Sequence, residues 1–283
     1  MRLGTYTVKG AGGARVAEIF DDHVRELAAS SMIAWLNGEG REATGTEHGI
    51  DDVTLLAPVP EPPAYRDFLT YEGHLHRATR NLTGLSDFET PEYWYAGPGF
   101  YFGNAAAIVG TGQVVPRPKG VEWLDFELEL AAIAGADGQL AGFSILNDWS
   151  ARDMQMQERH LGLGVHKSKD FATSLGPWLV TPDELPYENG KLNVNGRVEV
   201  NGEVVTETSS ELQHFGFDEM LSTAARNTRL RSGDVLASGT LDRGCIAEFG
   251  PPDEQRWLQP GDSVSLIVDG LGQLQNTIEQ SDQ

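Results

Sequence analysis

The stretch LDFELELAAIAG, residues 124–135, decides the fold of this chain because acidic and apolar residues alternate along its first half. Strict alternation is typical of a β-strand, in which successive side chains point to opposite faces. Asp125, Glu127 and Glu129 therefore share one face of the predicted strand, with roughly 6–7 Å between neighbouring acids. Like charges at that spacing repel one another, and burial strengthens the repulsion. Either this face lies in water, as on an acidic edge strand, or a cation binds to it.

The composition sets limits on the class of protein. The chain has 283 residues and a formal net charge of −21 at pH 7. So acidic a surface repels nucleic acid and anionic membranes, and neither is expected as a partner. The single cysteine, Cys245, cannot form an intrachain disulfide, as is typical of a reducing compartment. Residues 1–13 lack an apolar signal core and no apolar run approaches the roughly 18 residues of a membrane span, so we expect a cytoplasmic protein.

A proline-rich stretch marks the strongest boundary in the chain. APVPEPPAY, residues 57–65, contains four prolines and cannot continue a helix or a central strand. We therefore predict a small α+β domain over residues 1–60 and a catalytic domain over residues 61–283. In the first, RLGTYTV and ARVAEIF alternate as strands do, and HVRELAASSMIAWLNG is predicted to be a helix that Gly38 closes.

Beyond the boundary the sequence is rich in strand patterns. Asn-Gly pairs at 195–196 and 201–202 predict two tight turns of a meander, and Asp269-Gly270 predicts a hairpin. Helices are few, at about 67–80, 150–160 and 217–226. The predicted fold class is thus β-dominated α+β, with a rolled or sandwiched sheet.

Three further stretches carry polar groups in unusual arrangements, and RDFLTYEGHLHRATR is the first. If a helix begins near Asp67, then His74 lies about two turns further on the same face. The carboxylate and the imidazole would then point the same way. In the alternative interpretation, Asp67 only caps the helix and His74 is an ordinary surface or core histidine.

The second stretch is FSILNDWSARDMQ, in which an apolar run ends at Asp148. Ser150 and Asp153 have the spacing of a capping box, which predicts a strand-to-helix junction at this point. Arg152 and Gln155 are three residues apart and share a face of the predicted helix. The alternative is a helix start with ordinary surface polar residues.

The third stretch, GVHKSKDFATSLGPWLV, contains Lys167 and Lys169, two of the five lysines in the chain. A solvated loop is its alternative interpretation. The acids of the three stretches and of the opening strand form an all-oxygen set that suits Mg²⁺, Mn²⁺ or Ca²⁺. Zinc fits less well, because no cysteine or histidine cluster has zinc-site spacing. Spacing alone does not show that these separate segments converge.

Five segments together resemble the fumarylacetoacetate hydrolase family. They are DFLTYEGH (67–74), DFELEL (125–130), LNDWSARDMQ (146–155), KDFATSLGPW (169–178) and LASGT (236–240), in the order of the family and over most of residues 60–270. The resemblance implies a mixed β-sandwich roll with a small N-terminal domain, usually as a homodimer.

The resemblance also implies a role for each matching residue. One divalent cation, Mg²⁺ first and otherwise Mn²⁺ or Ca²⁺, would bind Asp67, Glu127, Glu129 and Asp148, with Asp125 more peripheral. The other implied roles are a water-activating base (His74), an acid that orients it (Glu248), oxyanion donors (Arg152, Gln155, Lys169), neighbours of the metal (Lys169, Thr173) and a substrate contact (Thr240). Arg159 and Leu69 stand where fumarylacetoacetate hydrolases proper present tyrosines to the substrate, and they leave the substrate open.

The expected reaction is hydrolytic cleavage of a carbon–carbon bond in a 1,3-diketone or acylpyruvate-type acid. The nearest alternatives use the same metal-enolate chemistry: a 2-oxo acid decarboxylase, an isomerase of a dienoic oxo acid, or a hydratase or lyase. A non-catalytic acidic protein that binds Ca²⁺ is a third interpretation. His74, Arg152 and Lys169 speak against it, because a purely structural cation site does not need them.

Overall fold

The computed structural model describes residues 1–281, which form 21 strands and four α-helices. The helices are α1 (Met32–Leu36), α2 (Glu72–Thr83), α3 (Arg152–Glu158) and α4 (Phe217–Ala225). The strands are β1 (Arg2–Val8), β2 (Arg15–Ile19), β3 (His23–Leu27), β4 (Ala43–Gly49), β5 (Val53–Leu55), β6 (Tyr65–Phe68), β7 (Phe100–Gly103), β8 (Ile108–Val109), β9 (Val114–Arg117), β10 (Leu124–Asp125), β11 (Leu128–Ala134), β12 (Leu140–Asn147), β13 (Ser150–Ala151), β14 (Thr173–Val180), β15 (Tyr187–Glu188), β16 (Lys191–Leu192), β17 (Asn195–Val200), β18 (Glu203–Ser209), β19 (Val235–Ala237), β20 (Ser263–Val268) and β21 (Gly272–Gln280).

Two mixed sheets dominate the architecture. The larger has 12 strands, with the path β4-β3-β2-β1-β14-β12-β11-β19-β6-β7, and β5 and β8 pair with β1 and β14. The smaller has five strands in the order β18-β17-β20-β21-β9. Most pairs are antiparallel, but three are parallel: β19 with β6, β8 with β14 and β21 with β9. The prediction of a strand-dominated α+β roll with mixed sheets is confirmed.

The central strand β11 packs on both of its faces, and all seven of its residues are buried. Leu128 and Leu130 belong to the core cluster that also contains Leu266 of the smaller sheet. Ala131 and Ile133 point the other way and join a second cluster. Burial on both sides explains why the acidic alternation of the opening stretch gives way to a continuous apolar run after residue 129.

Residues 1–60 form strands that extend the larger sheet. β1 pairs with β14 through Arg2 and Leu3, so this sheet is continuous across the proline-rich stretch. The predicted strands RLGTYTV and ARVAEIF are present as β1 and β2. The predicted helix over residues 23–38 was wrong in its first half, which is β3. Only Met32–Leu36 is helical, where Ser31 Oγ accepts the backbone N–H of Ala34 at 3.1 Å.

Two of the three predicted hairpin turns are present. Asn201-Gly202 joins β17 to β18, with φ values of 55° and 82° that favour Asn and Gly. The turn at Asp269-Gly270 separates β20 from β21. The turn predicted at Asn195-Gly196 was wrong, because these residues begin β17 and pair with β18 and β20.

The helix predicted from about residue 67 was wrong at its start. Asp67 lies in β6, which hydrogen-bonds to β19 on one side and to β7 on the other, and α2 begins only at Glu72. The capping box predicted for Ser150 and Asp153 is absent as well. Ser150 Oγ donates to the carbonyl of Asp148 at 2.9 Å, and Asp153 Oδ2 accepts the backbone N–H of Glu122 at 2.7 Å. None of the helices in residues 1–281 is long and apolar enough to cross a membrane.

Candidate functional site

Three buried carboxylates meet where neighbouring strands of the larger sheet end. Asp67 is in β6, Glu129 is in β11, and Asp148 follows β12. Because β6, β19, β11 and β12 lie side by side, these positions come together at one edge of the sheet. One carboxylate oxygen of each residue lies within 4.8 Å of the other two, and each residue is at most 3% exposed. We call these three residues the acid cluster.

Two tyrosines that the sequence did not single out contact the acid cluster. The Tyr65 hydroxyl donates to Asp67 Oδ2 at 3.0 Å. The Tyr101 hydroxyl lies 2.6 Å from Asp148 Oδ2 and 3.2 Å from Asp67 Oδ2. The i, i+2 spacing of Tyr65 and Asp67 on one strand was the available signal for the first tyrosine. Tyr101 had none, since its place depends on the pairing of β7 with β6.

Glu129 is held by the loop that follows β19. Its Oε2 accepts the backbone N–H of Gly239 at 3.1 Å, and its Oε1 accepts the Thr240 hydroxyl at 3.3 Å. Thr240 also lines the cavity beside the acids. The residue predicted as a substrate contact therefore touches both the acid cluster and the open space.

Glu127 lies beside the acid cluster and joins it to two cations. Its Oε1 accepts Arg152 Nη2 at 2.6 Å, and its Oε2 accepts Lys169 Nζ. Lys169 also donates to Asp148 Oδ2. Burial alone raises the pKa of Glu127, but the charges of Arg152 and Lys169 outweigh it, and the pKa lies below its usual range. Glu127 is therefore ionised, and its negative charge is matched within the protein.

The acid cluster fits a hard divalent cation. Asp67 Oδ1 and Asp148 Oδ1 are buried and have no hydrogen-bond partner among the described residues. Burial first, and then the neighbouring carboxylates, raise the pKa of Asp67 and of Glu129 well above the usual range. A cation that takes oxygen ligands would cancel the repulsion between these carboxylates and would offset the free-energy cost of burying their charges. Thr173 Oγ1 is also buried and unpartnered, but Thr173 is not part of the cavity wall.

His74 of α2 and Glu248 form a pair beside Glu127. His74 Nδ1 is 2.9 Å from Glu248 Oε1, and His74 Nε2 is 3.8 Å from Glu127 Oε1. Glu248 Oε2 accepts Arg77 Nε at 2.9 Å and the backbone N–H of Arg243 at 2.8 Å. Burial raises the pKa of Glu248, but His74 and these donors outweigh it and lower the pKa. An ionised Glu248 fixes the ring of His74, so that Nε2 points to the acids.

Asp125 lies outside the acid cluster and connects two other parts of the site. Its Oδ2 accepts Arg152 Nε at 2.8 Å and the backbone N–H of Ala247 at 3.1 Å. Its Oδ1 accepts the backbone N–H of Ile246 at 2.8 Å. The strand of the opening stretch is interrupted between Asp125 and Leu128, which separates Asp125 from the other two acids. Asp125 thus ties Arg152 to the turn that carries Glu248.

Arg152 and Gln155 lie on the same face of α3, as their spacing predicts. Arg152 Nη1 donates to Gln155 Oε1 at 3.1 Å. With its oxygen fixed in this way, Gln155 turns its amide nitrogen away from Arg152. That nitrogen makes no hydrogen bond within residues 1–281, and Gln155 lines the cavity.

The site opens into a cavity of about 800 Å³. Arg159 and Leu69 line it, and their role as substrate contacts stays a prediction. Arg159 is exposed, and its Nη1 lies 3.8 Å from Met156 Sδ. Three of the site residues named from the resemblance are not part of the cavity wall, namely Asp125, Thr173 and Glu248, and Glu248 reaches the cavity through His74.

Buried carboxylates that can hold a divalent cation therefore lie beside a histidine–glutamate pair at one edge of the β-roll. Residues 64–279 match the family model described as the fumarylacetoacetate (FAA) hydrolase C-terminal domain, and the chain belongs to this family. The resemblance noted in the sequence is therefore confirmed.

Three proteins illustrate the range of its relatives. An oxaloacetate tautomerase of Bacillus subtilis (strain 168) is 29% identical over 278 residues, which cover 92% of this chain and 82% of that protein. A 5-carboxymethyl-2-hydroxymuconate delta-isomerase from Mycobacterium smegmatis is 26% identical, with a TM-score of 0.75 over 99% of this chain and 100% of that one. A 2-keto-3-deoxy-D-arabinonate dehydratase, solved with magnesium and 2,5-dioxopentanoate, shares the fold at 22% identity, a TM-score of 0.75 and 100% coverage of both chains.

Proposed function

We propose that this chain is a divalent-metal-dependent enzyme that transfers a proton at carbon 3 of a 2-oxo acid and so interconverts its keto and enol forms. The observation that carries the proposal is the His74–Glu248 pair, in which His74 Nε2 lies 3.8 Å from Glu127, beside the acid cluster. Mg²⁺ is the proposed ion, and Asp67, Glu129 and Asp148 would hold it, with Glu127 beside them. When bound, it would supply positive charge that stabilises a developing oxyanion.

His74 is the proposed proton carrier. Glu248 accepts a hydrogen bond from Nδ1–H, which leaves the lone pair of Nε2 to take a proton from substrate carbon. Arg77 and the backbone N–H of Arg243 hold Glu248 in place through its second oxygen. A base positioned in this way typically contributes about 10²–10⁴-fold to the rate.

Arg152 and Lys169 are proposed to position carboxylates rather than to bind substrate oxygen. Arg152 donates to Asp125, Glu127 and Gln155, and Lys169 donates to Glu127 and Asp148. Keto–enol conversion develops one oxyanion, whereas hydrolytic cleavage needs a second site for the tetrahedral alkoxide. Because Arg152 and Lys169 are both ion-paired with carboxylates of the protein, the site favours proton transfer over hydrolysis, in line with the activity named for the Bacillus subtilis relative.

Hydrolytic carbon–carbon cleavage of an acylpyruvate is the second candidate. The amide nitrogen of Gln155 favours it, because this donor is free and faces the cavity. His74 would then take its proton from water rather than from carbon.

The homodimer and the cytoplasmic location stay predictions. Sedimentation of the purified protein tests whether it is a dimer.

Proton exchange in D₂O distinguishes the two candidates. On Mg²⁺-loaded protein, NMR should show fast loss of the carbon-3 protons of a 2-oxo acid while an acylpyruvate stays intact. Release of pyruvate from the acylpyruvate would instead support the hydrolase. The absence of both reactions would refute both candidate functions.

His74→Gln should lower the exchange rate about 10²–10⁴-fold and leave Mg²⁺ affinity within a few-fold, because His74 is outside the acid cluster. The matched control is His23→Gln, on β3. An undiminished exchange rate in His74→Gln would remove His74 from the mechanism.

A further inference from the structure

The cavity has a charged inner end and an apolar outer wall. The inner end is formed by the acids, His74, Arg152 and Lys169. The outer wall is formed by Leu75, Ala78, Leu82, Phe88, Trp94 and Phe100, none of which carries a charge. The keto–enol reaction takes place at the inner end and makes no use of this wall.

One face of α2 builds much of the outer wall. Leu75, Ala78, Thr79 and Leu82 follow the i, i+3, i+4, i+7 spacing of a single helix face, and all four line the cavity. His74 begins the same face, and Leu82 is eight residues further along. At 1.5 Å per residue, the wall extends about 12 Å beyond the proton carrier.

The positively charged side chains that line the cavity leave one of their number to bind a substrate carboxylate. Arg152 and Lys169 are matched by Asp125, Glu127 and Asp148. Arg159 is the one cation of the cavity lining without an acidic partner within residues 1–281. The net charge of −21 further disfavours a substrate with two negative charges. A second carboxylate directed along α2 would meet Leu75, Ala78 and Leu82 and, apart from the Thr79 hydroxyl, no polar group of this helix face.

We infer that the substrate is a monocarboxylic 2-oxo acid with an alkyl or aryl tail that lies along α2. This inference rests on the proposed function, since it places the reacting end of the substrate at His74. The volume agrees with it, because cavities of about 300–1,000 Å³ enclose ligands much larger than a four-carbon oxo acid. Each methylene of the tail that leaves water against this wall should tighten binding about fourfold.

Calorimetric titration of Mg²⁺-loaded wild type tests the inference independently of turnover. The ligands are pyruvate, 2-oxobutyrate, 2-oxohexanoate, 2-oxooctanoate and phenylpyruvate, with 2-oxoglutarate as the dicarboxylate. The dissociation constant should fall about fourfold per methylene over the first members, and 2-oxoglutarate should bind no better than 2-oxobutyrate. A flat series, or tightest binding by 2-oxoglutarate, overturns the inference.

Carbon-3 exchange, measured on the same ligands, separates this inference from the proposed function. Exchange with a flat affinity series would keep the proposed function and refute the apolar tail. A rising affinity series without exchange would keep the apolar tail and refute proton transfer as the reaction.

A matched pair of variants locates the tail. Leu82→Gln keeps the size and the helix preference of the residue but makes the wall polar, and 2-oxooctanoate should bind about tenfold more weakly while pyruvate changes less than twofold. Leu85→Gln is the control, since Leu85 follows α2, is exposed and does not line the cavity. Equal losses for both ligands in Leu82→Gln, with an unchanged melting temperature, would contradict placement along α2.

Discussion

Asp125 gives the most direct test of how the site is held together. Asp125→Asn keeps the shape of the side chain but removes its charge and replaces one acceptor oxygen by a donor. Asp125 is fully buried and accepts hydrogen bonds from Arg152 and from the backbone N–H groups of Ile246 and Ala247. In the variant, an amide N–H must face at least one of these donors, and Arg152 keeps Glu127 as its acidic partner.

The structure sets the size of the effect. Removal of one partner from a buried ion pair typically costs about 3–5 kcal/mol. Because Glu127 still neutralises part of the Arg152 charge, we expect the lower end, about 3 kcal/mol of the free energy of unfolding. For a chain of this size, that corresponds to a fall in melting temperature of about 6–12 °C. Whichever oxygen becomes the amide nitrogen, the turn that carries Glu248 loses one of its two backbone anchors, Ile246 or Ala247, so carbon-3 exchange should also fall about 10–100-fold.

Urea unfolding of metal-free protein, followed by tryptophan fluorescence, measures the stability change. The control is Asp137→Asn, the same chemical change at an exposed residue whose φ of 55° suits asparagine. The control should stay within about 0.5 kcal/mol of wild type. A loss below about 1 kcal/mol in Asp125→Asn would refute the role of Asp125 as the link between Arg152 and the Glu248 turn.

Two further predictions concern the acid cluster and the loop before Lys169. Glu129→Gln should weaken Mg²⁺ binding more than about tenfold in a calorimetric titration, because it removes one charged oxygen ligand. Glu279→Gln, on the exposed end of β21, is the control and should leave Mg²⁺ binding unchanged. If Glu129→Gln binds Mg²⁺ as tightly as wild type does, Glu129 is not a metal ligand. Glu158 accepts hydrogen bonds from Ser168 N–H, Ser168 Oγ and His166 N–H, which outweigh burial and lower its pKa below the usual 4.5. The contribution of Glu158 to stability should therefore be complete above about pH 4.5 and be lost as the pH falls through the lowered pKa. In urea unfolding, the difference in the free energy of unfolding between wild type and Glu158→Gln should accordingly shrink on acidification. A difference that grows on acidification contradicts this.

The sequence by itself determined the strand-rich fold, the family and the set of chemical groups in the site. These features are local: a period of two over residues 124–130, turn pairs such as Asn201-Gly202, and five motifs in a fixed order. Local patterns are reliable where a single element satisfies them. They failed at residues 67–71, where β6 pairs with the distant β19, and at residues 23–27, where β3 pairs with its neighbours β2 and β4; in both places strand pairing outweighed an apparent helical spacing.

Only the tertiary structure decided which partners each of these side chains contacts and therefore which role each can take. Glu127 and Glu129 are two residues apart, yet Arg152 and Lys169 hold the first while Gly239 and Thr240 hold the second. His74 and Glu248 meet across 174 residues. Such contacts depend on the order and register of strands that are far apart in the chain, and no short stretch of sequence specifies that order. The repulsion that the opening stretch poses is therefore resolved by partners that come from α3 and from the loops before β14 and after β19.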